Sequence, residues 1–135
     1  ESIEIKKSFC CHDIQTKGYP NEFKQVLINI INNAKDAILE NRELQWYQGV
    51  IDIDFKCIEN NTVQITIEDN GGGINKKFME KIFEPYFTTK FQAQGTGLGL
   101  YMSKTILEKN MNGTLKAQNG RHGAKFIIDL YDVAV

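Results

Sequence analysis

Apolar positions along the chain follow two different periods. Phe23, Val26, Leu27, Ile30, Ile31, Ala34, Ala37 and Ile38 recur at intervals of three and four, which predicts an amphipathic helix carrying one continuous apolar stripe. Gly18-Tyr19-Pro20-Asn21 interrupts the chain just before it, with Asn21 in position to cap the helix. Elsewhere the period is two. Residues 50–57 alternate through Ile51, Ile53, Phe55 and Cys57, and after Asn60-Asn61 the alternation resumes with Val63, Ile65 and Ile67, so this region predicts a hairpin. Residues 2–6 predict an opening strand, residues 9–14 a weaker one, and residues 114–118 and 125–131 two closing strands. Between these, Gly71-Gly72-Gly73 breaks the chain, residues 76–82 predict a short helix, residues 92–99 a mobile Gly-rich loop, and residues 98–110 a second long helix.

Composition narrows the function classes. The 135 residues are 41% hydrophobic, enough for one domain with a real core. Lys plus Arg (16) nearly cancels Asp plus Glu (17), so no positive field is available for nucleic acid or for direct contact with an anionic membrane. No apolar run approaches the roughly 20 residues that cross a bilayer. The chain starts at Glu1 with no signal segment, which reads as a fragment of a longer protein. Cys10, Cys11 and Cys57 form no CxxC pair and are expected as reduced packing thiols in a cytoplasmic protein.

Candidate chemistry lies at the segment borders. Asn29, Asn33 and Asp36 are spaced i, i+4, i+7 and form a polar stripe beside the apolar one. An amide oxygen there is a hard neutral ligand suited to Mg²⁺, although Asn on a solvated helix face is common. Asp69 continues the parity of Val63, Ile65 and Ile67, so its carboxylate points to the buried face and needs a donor, for which an exocyclic amino group such as adenine N6 is a match. Gly71 and Gly73 allow backbone to approach a flat ring. Gly95-Thr96-Gly97-Leu98-Gly99-Leu100 opens the second long helix, where free amides favour phosphate; it is neither a Walker A loop nor a GxGxxG fingerprint. Phe83-Glu-Pro-Tyr-Phe87-Thr88-Thr-Lys90 combines rings with a cation, as a lid that places Lys90 near phosphates would.

Asn29-Ile-Ile-Asn-Asn33-Ala34, Asp69-Asn-Gly71-Gly-Gly73-Ile74, Phe83-Glu-Pro-Tyr-Phe87 and Gly95-Thr-Gly97-Leu-Gly99-Leu100, in this order, resemble the N, G1, F and G2 boxes of the GHKL superfamily over nearly the whole chain. The resemblance implies an α+β two-layer sandwich, a mixed sheet with about three helices on one face, holding ATP and Mg²⁺. It assigns Asn33 as the Mg²⁺ ligand, Asn29 as its phosphate-side supporter, Asp69 as adenine reader and the residue 95–100 amides as phosphate cradle. Ala37, Gly71, Gly73, Ile74, Phe83, Phe87, Thr88 and Lys90 complete the implied ATP contacts. Asn29, Asn33 and Lys90 are the residues implied to act in catalysis.

Asn29 also bears on the branch. Where other GHKL branches have a Glu general base, this chain has an amide, which accepts no proton from water or a serine hydroxyl. A histidine acceptor already offers a lone pair, so the chain resembles sensor histidine kinases. Two positions depart from their pattern: Asp36 stands where many have a phosphate-binding Lys or Arg, and Gly123-Ala124 replaces a frequent Gly-Thr. Neither His12 nor His122 lies in an acceptor-like helix, so the resemblance places the acceptor histidine in an upstream dimerisation domain of a homodimeric parent that signals to a response regulator. The chain is expected in the cytoplasm, and the resemblance leaves room for a parent protein anchored in the inner membrane. A GHKL hydrolysing clamp and a nucleotide sensor without phosphotransfer are the alternatives.

Overall fold

The computed structural model describes residues 3–9, 20–42, 45–88 and 97–131. Five strands, β1 (Ile3–Phe9), β2 (Gly49–Ile58), β3 (Thr62–Asp69), β4 (Gly113–Asn119) and β5 (Ala124–Leu130), form a five-stranded sheet of order β1-β2-β3-β5-β4. β1 pairs with β2 in parallel and the remaining neighbours are antiparallel, so the sheet is mixed. A parallel neighbour requires a crossover, and helix α1 (Pro20–Asn41) lies in the β1 to β2 connection. The β2–β3 turn places Asn60 and Asn61 at positive φ (63° and 56°), a conformation that Asn tolerates.

Val26, Ile30, Ala34 and Ile38 are the buried residues of α1, each four after the last, so this stripe faces the sheet. The opposing layer comes from Ile51, Ile53, Val63, Ile65, Ile67, Phe126, Ile128 and Leu130, all on one face of their strands. Ile82, Leu107, Met111, Leu115 and Ala124 complete the core. Polar residues such as Asp52, Gln64, Thr66 and Lys116 alternate with these on the other face. The result is a two-layer α+β sandwich with its helices on one face.

Several elements differ from expectation. α1 begins at Pro20, whose fixed φ and missing N–H suit a first helical position, so Asn21 lies inside the helix. The segment expected as a short helix is a 3₁₀ turn at Lys76–Phe78 continued by turns, with Lys81 and Ile82 both donating to the Phe78 carbonyl. About three helices were expected; among the described residues there are two, α1 and α2 (Gly99–Thr105), the latter extended by a π-helical turn over Ile106–Asn110. Cys57, expected as a free thiol, is disulfide-bonded. The strand expected over residues 9–14 lies outside the described residues except for Phe9, which ends β1. No helix among the described residues is long and apolar enough to cross a membrane.

Candidate functional site

The site is assembled where the end of β3 meets α1. Asp69 is the last residue of β3 and only 4% exposed, because the period-two alternation turns it to the core side. Its Oδ1 accepts from the Gly71 amide at 2.8 Å and from the Ala124 amide at 3.3 Å. Oδ2 has no partner among the described residues, and no buried side-chain oxygen is left unsatisfied there, so Oδ2 borders open space. Burial raises the carboxyl above the ordinary aspartate value of 3.8; the two amide bonds oppose this and the Glu68 charge adds to it. A carboxylate held this way is an acceptor that a ligand donor can complete.

The glycine turn after Asp69 is gripped from both sides. A Cβ on Gly71 would stand 2.8 Å from the Ala37 carbonyl carbon and 2.9 Å from the Ile38 nitrogen, so this turn packs directly onto the α1 backbone. Gly72 and Gly73 have positive φ (93° and 88°), which other residues rarely adopt. Gly72 donates to the His122 carbonyl at 3.1 Å. Asn119, at the end of β4, accepts from the Ile74 amide at 2.7 Å and donates to the Ile74 carbonyl at 2.8 Å. Asn119 and His122 were not among the predicted site residues; the Asn119-Gly120 dipeptide marks a turn, but nothing in it points to residue 74, far away in sequence. His122 is exposed in that turn.

Along α1, Asn29 and Asn33 are both half-buried but differently engaged. Asn29 donates to the Gly99 carbonyl at 3.4 Å and to the Ser103 hydroxyl oxygen at 3.2 Å, and accepts from Gln25 at 2.8 Å. The Asn33 side chain makes no hydrogen bond among the described residues, so its amide is available to a ligand or a metal ion. Among the described residues, no cluster of His, Cys, Asp and Glu could hold a metal by itself.

The aromatic segment packs inward. Phe83 meets core Phe126 edge-to-face at 6.4 Å, and Phe87 meets Phe78 at 5.4 Å. Lys104 lies 5.1 Å over the Phe83 ring while donating to the Leu115 carbonyl and to Glu108. Tyr86 takes a positive φ of 67° and donates its amide to the Gly97 carbonyl at 2.8 Å. Gly97 itself has φ of 73°, and a Cβ there would stand 2.7 Å from Tyr86 Cα, so the aromatic segment and the start of the Gly-rich box touch through backbone. Leu98 caps α2 without a side-chain bond, Gly99 comes next to Asn29, and Leu100 packs on the core. Thr88 is exposed. Lys90, Gly95 and Thr96, and most of the loop expected over residues 92–99, lie outside the described residues.

The profile of the family described as histidine kinase-, DNA gyrase B-, and HSP90-like ATPase matches residues 18–133. The two-component sensor PprA of Pseudomonas aeruginosa is 38% identical over 129 residues, which are 96% of this chain and 14% of that protein. The sensor histidine kinase ZraS of Salmonella typhimurium is 37% identical over 138 residues, 99% of this chain and 27% of that one. Among solved structures, the nucleotide-free catalytic domain of histidine kinase ThkA is similar with a TM-score of 0.80 and 31% identity, covering 96% of this chain and 78% of that one. The chain thus spans only a minor part of the length of these curated relatives.

Proposed function

The chain belongs to the histidine kinase-, DNA gyrase B-, and HSP90-like ATPase family, and from that premise we propose that it is the module of a sensor histidine kinase that binds MgATP and presents the γ-phosphoryl group to a histidine carried elsewhere. The observation that carries the reading is the buried Asp69 carboxylate, whose Oδ2 lacks a partner among the described residues and opens beside the glycine turn. An adenine amino group is a donor of the right kind for that oxygen. Gly71 and Gly73 keep Cβ atoms away from the ring's position, and Ala37 walls it from the helix side.

Asn33 is the residue to hold Mg²⁺, since its amide has no competing bond among the described residues and its oxygen suits a hard cation. Bound Mg²⁺ supplies electrostatic relief to phosphate oxygens. The rest falls to the chain: Asp69 orients the base, the backbone amides from Gly95 to Leu100 cradle the phosphates, and Lys90 adds a cation over them. No proton need leave the acceptor before attack if that acceptor is a neutral imidazole, so a site without a general base is sufficient. Asn29 disfavours the hydrolysing clamp for the same reason, because an amide takes no proton from water.

The acceptor histidine, a homodimer interface and a response-regulator surface belong, on this reading, to other domains of a longer parent. Calorimetry should find Mg²⁺-dependent binding of ATP and ADP by this chain, reduced about tenfold or more in Asn33→Ala. Joined to a domain bearing the acceptor, it should yield acid-labile, base-stable phosphate; base-labile phosphate on a hydroxyl would overturn the histidine reading.

A further inference from the structure

Ser103 is fully buried (0% exposed) and polar, in the seam between α2 and α1, and no feature of the sequence marks it. Its hydroxyl oxygen takes one N–H of Asn29 at 3.2 Å, and the Gly99 carbonyl takes the other at 3.4 Å. A carbonyl oxygen can only accept, so the atom of Asn29 facing Gly99 is its nitrogen. The Asn29 oxygen therefore faces the other way, where Gln25 donates to it at 2.8 Å. With both N–H groups directed into α2, Asn29 has one lone pair of Oδ1 left. Such a group meets a ligand as an acceptor and has no donor left for a phosphate oxygen.

We propose that Ser103 is a positioning residue that acts through Asn29: with Gly99 it locks the amide so that the Asn29 oxygen is presented to Mg²⁺ or to water bound to it, while tying the first turn of α2 to α1. This rests on the reading of the site as a MgATP site and changes the role of Asn29 within it, from phosphate-side supporter to an acceptor on the metal side. Gly99 decides which end of the amide faces α2, and Ser103 holds it there; without Ser103 the amide is tied to α2 by the 3.4 Å bond to Gly99 alone, and its oxygen is held less firmly toward the metal side.

The test is calorimetric titration of the chain with ADP and ATP, each in Mg²⁺ and in excess EDTA. Ser103→Ala should weaken Mg-nucleotide binding roughly three- to tenfold, as loss of one neutral hydrogen bond does, and leave EDTA-nucleotide binding within about twofold. Ser103→Cys fills the same space with a poor acceptor and should behave like the alanine variant, which separates the hydrogen bond from a packing defect. In an Asn29→Ala background, Ser103→Ala should produce no further loss, because a residue acting through Asn29 has nothing left to position. Equal losses with and without Mg²⁺, restoration by cysteine, or additive losses in the double variant would each overturn the proposal. Absence of nucleotide binding by the unaltered chain would instead overturn the MgATP reading itself and this role of Ser103 with it.

Discussion

The two ends of the site are built from different materials. At the Asp69 end, the carboxylate and the Asn119 clasp bond backbone groups of Gly71, Ile74 and Ala124 at 2.7 to 3.3 Å, and the Gly71 turn packs against the α1 backbone. At the Asn29 end, α1 and α2 meet through side-chain amide bonds of 3.2 and 3.4 Å. The first end is fixed by the fold, and a change there disturbs folding and binding together or, at Asp69, moves them in opposite directions. The second is set by side-chain contacts that a ligand can rearrange at small expense. A rigid base end beside an adjustable phosphate end suits a site that must grip one part of a nucleotide and release another.

Asp69→Asn is the largest expected break in this comparison. The asparagine oxygen can keep the Gly71 and Ala124 bonds while its NH₂ replaces Oδ2, turning the acceptor into a donor, so nucleotide affinity should fall on the order of a hundredfold in calorimetry. Stability should move the other way. The folded-state carboxyl is raised above 3.8 by burial, so its favourable contribution is complete below 3.8 and is lost as pH rises through the raised value. At neutral pH the ligand-free asparagine variant should therefore melt no lower than the unaltered chain, and its relative advantage should vanish below pH 3.8. A donor on Oδ2 favours the ionised form, so adenine-nucleotide binding should weaken as pH falls through the raised value.

Gly71→Ala comes next and should act through folding. Its Cβ would stand 2.8 to 2.9 Å from α1 backbone atoms that cannot turn aside. Overpacking of this kind costs about 1 to 3 kcal/mol, which thermal melts should register as a drop on the order of 5 to 10 °C. The smallest effect belongs to the outer side of α2, away from both the Asp69 and the Asn29 contacts. Lys104→Met removes a half-exposed pair with Glu108 (2.7 Å), a bond to the Leu115 carbonyl (3.0 Å) and the cation over Phe83 while keeping the apolar stem, so the loss should stay at about 1 kcal/mol. A larger stability loss from Lys104→Met than from Gly71→Ala would show that the glycine turn is less tightly fixed than its packing on α1 implies.

Much of this arrangement is legible in the chain because it is periodic or local. The apolar stripe from Phe23 to Ile38 sets the buried face of α1, and the parity from Val63 to Asp69 puts a carboxylate into the core before any fold is known. The segment at residues 76–82 misled because an apolar and charged pattern of helical period there is closed by turns through Phe78. The pairing of Asn119 with Ile74 and of Ser103 with Asn29 leaves no trace of that kind, since each joins residues far apart in sequence by a single polar contact.

The sequence by itself determined the mixed α+β character, the polarity of each helix and strand face, and the order of the boxes that place the chain in its family, because those depend on side-chain period and on local backbone freedom. Only the tertiary structure decided which atoms meet: that Asp69 keeps one oxygen without a partner among the described residues, that the Asn33 amide is available while the Asn29 nitrogen is engaged, and that a buried serine meets that nitrogen. A hydrogen bond between distant segments depends on distances of a few tenths of an ångström and on which atom of an amide faces which acceptor, and both exist only once the sheet and the helices have packed.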